Sequence, residues 1–159
     1  MSEHRVGIGI DVHAFGGPGP IRLGGVDFDA ETGLVGHSDA DVVAHAIADA
    51  LLGAAALGDI GDHFPDTDDR WAGADSLEML THVTAMLGED RWTISNVDAV
   101  VMCEQPRVSS KRDRMRERLA EALAVGVDRV SVKATTSEGL GFAGRREGIV
   151  VQAVASVSR

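Results

Sequence analysis

Residues 39 to 57 constrain the fold more than any other stretch of the chain. The segment is built almost entirely from Ala, Val, Leu and Ile, and its spacing predicts a helix. Val43, Ile47 and Leu51 recur at i, i+4 and i+8, while Asp41, His45 and Asp49 form a second line on roughly the opposite side. A helix that is apolar nearly all round must be covered on nearly all sides. It is therefore expected at the centre of the molecule, with one polar line that needs a reason to be there. Ser38 is the expected N-cap, Asp41 the capping-box carboxylate three residues on, and Gly58 the expected stop.

The cover for such a helix is expected from strands. Between Arg5 and Phe15, Val6, Ile8, Ile10 and Val12 alternate with Gly7, Gly9, Asp11 and His13. One face is aliphatic and is expected to pack on the core; the other is bare at the glycines and then carries Asp11 and His13. A short second strand over Ile21 to Val26 is expected to pair with the first. Further strands are expected at Trp92 to Cys103, Arg129 to Ala134 and Ile149 to Val157, and further helices at Asp75 to Leu87 and Ser109 to Ala124. In the last helix Met115, Leu119 and Leu123 point inward and the charges from Lys111 to Glu117 form a solvated face. Four to five strands and three helices imply an α+β fold, a mixed sheet with helices on one face. No linker, repeat or low-complexity tract divides the 159 residues, so one domain over 1–159 is expected.

Composition narrows the function. The formal charge of −10 provides no basic footprint for nucleic acid, and an anionic ligand would be repelled unless a cation or local donors intervene. Only one cysteine, Cys103, is present, which fits a reducing, cytoplasmic setting. No apolar run approaches the ~18 residues of a membrane helix, and the first residues show no signal-peptide pattern.

Four groups of residues carry potential chemistry. Asp11 and His13, at i and i+2 on a strand, share a face, and His45 from the central helix can meet them. One carboxylate and two imidazoles suit catalytic zinc, with a fourth position open. An isolated D-x-H is more often accidental strand polarity, and His45 has a rival reading as a core histidine bonded to Asp41 or Asp49. The glycines beside Asp11 and the apolar setting of His45 favour the metal reading. At the helix start, His37 and Ser38 suit an anion held by free amides, with ordinary capping as the alternative. The segments Gly58 to Gly61 and Phe64 to Asp68 follow directly and offer Asp59 to sugar hydroxyls, though such loops are commonly only turns. Finally, Lys133, Thr135, Thr136 and Arg145 suit phosphate oxygens, and Glu138 a hard cation, against the blander reading of a solvated glycine-rich loop.

Taken in order, these pieces resemble the 2-C-methyl-D-erythritol 2,4-cyclodiphosphate synthase family. The matching segments are Gly9 to Phe15, Leu23 to Gly25, Gly33 to Val42, His45, Asp49 to Ala54, Leu57 to Gly61, Phe64 to Asp68, Gly73 to Ser76, Asn96 to Asp98, Val132 to Thr136 and Glu138 to Arg145. They cover essentially the whole chain. The resemblance implies conversion of 4-diphosphocytidyl-2-C-methyl-D-erythritol 2-phosphate to the cyclic diphosphate and CMP, by a homotrimer with active sites between subunits. It implies zinc on Asp11, His13 and His45, and magnesium or manganese at the substrate diphosphate near Glu138. It implies His37 and Thr136 as transition-state stabilisers. Substrate contacts are implied at Asp11, Val12, His13, His37, Ser38, Asp59, Ile60, Gly61, Phe64, Pro65, Asp66, Thr67 and Asp68. The cytidine side is implied at Cys103, Glu104, Gln105, Pro106, Arg107, Val108, Ser109, Ala134, Thr135 and Thr136, with Glu138, Phe142 and Arg145 nearby. A metal-dependent phosphohydrolase and a non-catalytic trimeric binding module remain the rival readings.

Overall fold

The structure, a computed structural model, describes residues 2–159; the expected domain also includes Met1, which lies outside the described residues. The chain opens with the long strand β1 (His4–Pro18), turns through the hairpin β2 (Ile21–Leu23) and β3 (Val26–Phe28), and returns along β1 as β4 (Thr32–Leu34). The central helix α1 (Val42–Ala55) follows, then a single turn α2 (Ile60–His63) and α3 (Ser76–Glu89). Next come β5 (Thr93–Met102), α4 (Arg112–Ala122), β6 (Val130–Thr135), the short α5 (Gly141–Gly144) and β7 (Gly148–Ser158). The strands form one sheet in the order β4-β1-β7-β5-β6, antiparallel except between β5 and β6, with β2 and β3 as a separate pair. This is the mixed α+β sheet expected, with the three long helices on one face.

Register explains how α1 reaches the centre. Gly7 stands opposite Ala155, which stands opposite Val97; Gly9 stands opposite Ala153, which stands opposite Ala99. These residues make a floor of small side chains, and α1 lies directly on it. A Cβ on Gly7 would fall 2.0 Å from the Ala50 carbonyl oxygen, and one on Gly9 2.0 Å from that of Ala46. The glycine face of β1, not the aliphatic face, is therefore the core face. Val6, Ile8, Ile10 and Val12 point outward with 69%, 58%, 59% and 49% of their surface exposed. That reverses the expected orientation of the strand, because the backbone of α1 needs the room that only glycine leaves.

Other differences are local. The stretch Ile21 to Val26 does not pair with β1; it folds on itself about Gly24 and Gly25, and Thr32–Leu34 takes the place beside β1. The helix cap is Asp41 rather than Ser38. The Asp41 carboxylate, fully buried, accepts from the amides of Val43 and Ala44 at 3.1 Å each, Gly24 at 2.8 Å and Gly25 at 2.6 Å. Burial pushes its carboxyl above the usual range even against those donors. The first-turn amides of Val43 and Ala44 are thus already taken by a side chain of the protein. At the other end, Ala56 in the left-handed region closes α1 two residues before Gly58. Among the described residues, no helix is long and apolar enough to cross a membrane.

Candidate metal centre and substrate cavities

Asp11 and His13 project from the core face of β1 just past the glycine floor, and His45 descends from the first turn of α1. The three donor atoms form a near-equilateral triangle. Asp11 Oδ2 lies 2.9 Å from His13 Nε2 and 3.1 Å from His45 Nδ1, and the two nitrogens are 3.2 Å apart. Tetrahedral zinc with bonds of ~2.0–2.1 Å requires donor separations of about 3.3 Å, so this set fits a small divalent ion and leaves a fourth position open. Among the described residues no other trio of His, Cys, Asp and Glu converges in this way.

Hydrogen bonds behind the trio fix which nitrogen of each ring is free. The Val35 carbonyl can only accept, so His13 Nδ1–H donates to it at 2.6 Å and Nε2 presents its lone pair. Ser76 gives its hydroxyl proton to Asp39, so toward His45 it accepts from Nε2–H at 2.9 Å, leaving Nδ1 free. Neither the Asp41 nor the Asp49 carboxylate bonds the His45 ring; Asp41 meets His45 only through the backbone, where its carbonyl accepts from the His45 amide at 3.1 Å. Asp49 accepts from the Ile60 amide at 2.8 Å, with burial raising its pKa. The polar line of α1 thus has three separate purposes: cap, ligand and loop anchor.

Burial opposes the charge on Asp11, but the adjoining imidazoles of His13 and His45 outweigh it and hold the carboxyl well below the usual range. Burial likewise opposes protonation of His13, yet Asp11 and the Val35 carbonyl raise its pKa above 6.5. An entering metal displaces that proton. Metal affinity is therefore expected to fall as pH drops through the His13 value, beginning at a higher pH than for an ordinary histidine. Competition titrations with a chelator between pH 5.5 and 8.5 measure it; an affinity flat across that range contradicts it.

A cavity of about 390 Å³ adjoins the trio, lined by His13, His37, Ser38, His45, Ile60, Gly61, Phe64, Pro65, Asp66, Trp71 and Met79. Of the expected loop residues, Ile60, Gly61, Phe64, Pro65 and Asp66 are therefore brought to the trio. Asp59 instead caps α2 through the Asp62 amide at 3.1 Å, and Asp68 is held by Arg70. Neither they nor Thr67 line the cavity, and the Val12 side chain projects from the other face of β1. Trp71 and Met79 are cavity residues that sequence reasoning missed; a tryptophan in a ring-poor chain was the available signal.

A second, larger cavity of about 770 Å³ is lined by all of Cys103 to Ser109 and Ala134 to Thr136, joined by Ile21, Asp29, Ala30 and Arg112. Glu104, an anion in an expected nucleotide pocket, has a structural task. One carboxylate oxygen accepts from the Ser137 amide at 3.1 Å, the Ser137 hydroxyl at 3.3 Å and the Gly139 amide at 3.4 Å, tying down the loop that follows Thr136. Burial, with Glu104 beside it, pushes the Cys103 thiol up to about 11. Cys103 is accordingly expected to resist iodoacetamide at pH 7.5 in the folded protein and to react fully once unfolded; rapid native labelling contradicts this.

Glu138, Phe142 and Arg145 lie outside both cavities. Glu138 sits exposed in the left-handed region with φ of 53° and accepts from the Thr136 hydroxyl at 2.9 Å. Lys133 is paired with Asp98 at 2.6 Å and Arg145 with Glu147 at 2.8 Å, so this loop is not the open cation cluster its composition suggests. Across the sheet Asp11 shares a row with Val151, Val101 and Ala134. Three strand spacings of ~4.8 Å place Asp11 about 14 Å from Ala134 within one chain. No residue lines both cavities.

The YgbB family model matches residues 4–158. The 2-C-methyl-D-erythritol 2,4-cyclodiphosphate synthase of Rubrobacter xylanophilus is 56% identical over 162 residues, covering 100% of this chain and 98% of the relative. Among solved structures, the bifunctional IspDF of Campylobacter jejuni superposes with a TM-score of 0.96 at 40% identity; the match takes in 99% of this chain but 43% of that larger one. A CDP-bound 2C-methyl-D-erythritol-2,4-cyclodiphosphate synthase gives a TM-score of 0.87 at 31% identity, over 96% of this chain and 99% of the other. Matched almost from end to end by the family model and by a relative more than half identical, the chain belongs to the YgbB family.

Proposed function

We propose that the chain, as one domain over 1–159, converts 4-diphosphocytidyl-2-C-methyl-D-erythritol 2-phosphate to 2-C-methyl-D-erythritol 2,4-cyclodiphosphate and CMP. The observation that carries this reading is the converging trio Asp11, His13 and His45, in a chain that follows a synthase relative along its full length. An oxygen of the 2-phosphate attacks the β-phosphorus, the new P–O–P bond closes the ring, and the bond to the α-phosphate breaks to release CMP. No protein nucleophile is required, so positioning and charge neutralisation supply the catalysis.

Bound at the trio, a divalent ion, zinc by the donor chemistry, neutralises and aligns the phosphates of a substrate that a −10 chain would otherwise repel. His37 and Ser38, beside the metal, donate to phosphoryl oxygens, and the Thr136 hydroxyl does so from the nucleotide side. Ile60, Gly61, Phe64, Pro65 and Asp66 hold the methylerythritol, and the backbone and side chains of Cys103 to Ser109 and Ala134 to Thr136 hold the cytidine. Glu138, an exposed carboxylate beside the Thr136 hydroxyl, suits magnesium or manganese brought with the substrate diphosphate.

Asp11 and Ala134 stand about 14 Å apart across the sheet, too far for the two cavities to meet at one phosphorus within a single chain. A homotrimer resolves this, with the metal cavity of one subunit facing the nucleotide cavity of the next. The exposed aliphatic face of β1, continued by Val154 on β7, is the surface that three copies would bury. The test is CMP release from the cytidyl substrate, followed with phosphorus NMR. Cyclic diphosphate with CMP supports the reading; inorganic phosphate points to hydrolysis, and binding without turnover to a non-catalytic module.

A further inference from the structure

Behind His45 lies a polar chain that the reaction itself does not call for. Ser76, at the first position of α3, is 1% exposed, which is unusual for a hydroxyl with no helical partner. Its Oγ lies 2.9 Å from His45 Nε2, and its proton goes to Asp39 Oδ1. The same Asp39 accepts from the Ser76 amide at 3.2 Å through Oδ2, and that oxygen sits 3.0 Å from Arg22 Nε. Arg22 also reaches Asp27 at 3.0 Å and Asp75 at 3.3 Å. Ser38 Oγ approaches His45 Nε2 from a second side at 3.1 Å.

We propose that Ser76 and Asp39, braced by Arg22, are positioning residues that set the tautomer and orientation of His45 and thereby the metal affinity of the trio. The direction of each bond carries the case. Asp39 has no proton to give, so the Ser76 hydroxyl must donate to it and accept from His45. His45 is then held with hydrogen on Nε2 and a lone pair on Nδ1, the atom that faces Asp11 and His13. Donation toward a carboxylate-polarised hydroxyl makes the imidazole a better electron donor. Without that acceptor only Ser38 Oγ, at 3.1 Å, holds the proton on Nε2, and more of the rings carry it on Nδ1, which points a hydrogen into the metal position.

A purely structural task is the competing account, since Asp39 also ties its segment to the start of α3. Ser76→Ala separates the two, because it keeps the backbone bond to Asp39 and removes only the hydroxyl. The inference rests on the trio being a metal site but not on the cyclisation reaction. It is tested with zinc alone on demetallated protein, by chelator competition, and by long-range ¹H–¹⁵N correlation of the histidine rings. Wild type is expected to bind zinc with His45 in the Nε2–H form. Ser76→Ala is expected to bind ~10–100-fold more weakly, with mixed His45 tautomers and a metal-free melting temperature close to wild type. Should Ser76→Ala fail to fold, Asp39→Asn reads the same quantities and is expected to weaken zinc in the same direction. Equal zinc affinity and an unchanged tautomer in the folded variant overturn the proposal. Wild type that binds no zinc overturns both the proposal and the metal reading beneath it.

Discussion

Asp11→Asn protein is expected to fold, to lose at least ~100-fold in divalent metal affinity, and to release CMP at least ~10³-fold more slowly than wild type. The substitution keeps the shape of the side chain and removes the only anion of the trio. Asp11 Oδ2 is the shared corner of the triangle, 2.9 Å from His13 Nε2 and 3.1 Å from His45 Nδ1. An amide there presents either a neutral oxygen or an N–H group, and the latter faces a cation directly. Some stability is expected to be lost near neutral pH. The Asp11 carboxyl is held below its ordinary range, so its contribution is present above the unfolded value near ~3.9 and fades only as pH falls through the lower folded value. The two rings stay packed against each other, so the loss leaves the fold intact. Metal content, CMP release and thermal melting of the same sample separate the outcomes. Normal CMP release from Asp11→Asn protein stripped of metal would sink both the metal site and the proposed reaction.

The metal trio was legible because its geometry is local in two pieces: i, i+2 on a strand, and one histidine on an apolar helix. The central burial of α1 was legible for the same reason, being a property of one segment. What sequence reasoning inverted was the sidedness of β1. Alternation states that two faces differ, and convention assigns the aliphatic one to the core. Here the glycines mark the core because the neighbour is helix backbone rather than side chains, and no feature within β1 says so. The cap of α1 was misplaced for a related reason. Asp41 accepts from Gly24 and Gly25 in a distant hairpin as well as from its own helix, and only that tertiary contact makes it a better cap than Ser38. Ser76 and Asp39, far apart in sequence and ordinary in type, carry no local signal of the link to His45. Glu104 is a similar case. Its charge looks misplaced beside a nucleotide until the loop amides it satisfies are in view.

Gly9→Ala, adding one methyl group, is expected to destabilise the fold by about 3 kcal/mol or more, which in a domain of this size lowers the melting temperature by roughly 6–12 °C. Its Cβ would stand 2.0 Å from the Ala46 oxygen and 2.8 Å from the Ala50 nitrogen, both backbone atoms that cannot rotate away. Relief requires α1 to move off the sheet, against Ala99 and Ala153 beneath it and α3 on its far side. Conformational freedom is not the reason, since Gly9 does not occupy the left-handed region. Gly88→Ala provides the control. Gly88 lies inside α3, a Cβ there meets nothing within 4 Å, and the change is expected to gain ~0.5–1 kcal/mol from helix propensity alone. The two variants therefore move melting in opposite directions by the same chemical change. The movement of α1 also reaches the site. His45 rides on α1 while Asp11 and His13 ride on β1, so a helix lifted by even ~1 Å opens a triangle whose edges must stay near 3.3 Å to grip a small ion. Folded Gly9→Ala protein is accordingly expected to bind zinc more weakly than wild type. Unchanged melting and unchanged zinc affinity would mean that the close seat of α1 on the glycine floor neither supports the fold nor sets the metal geometry.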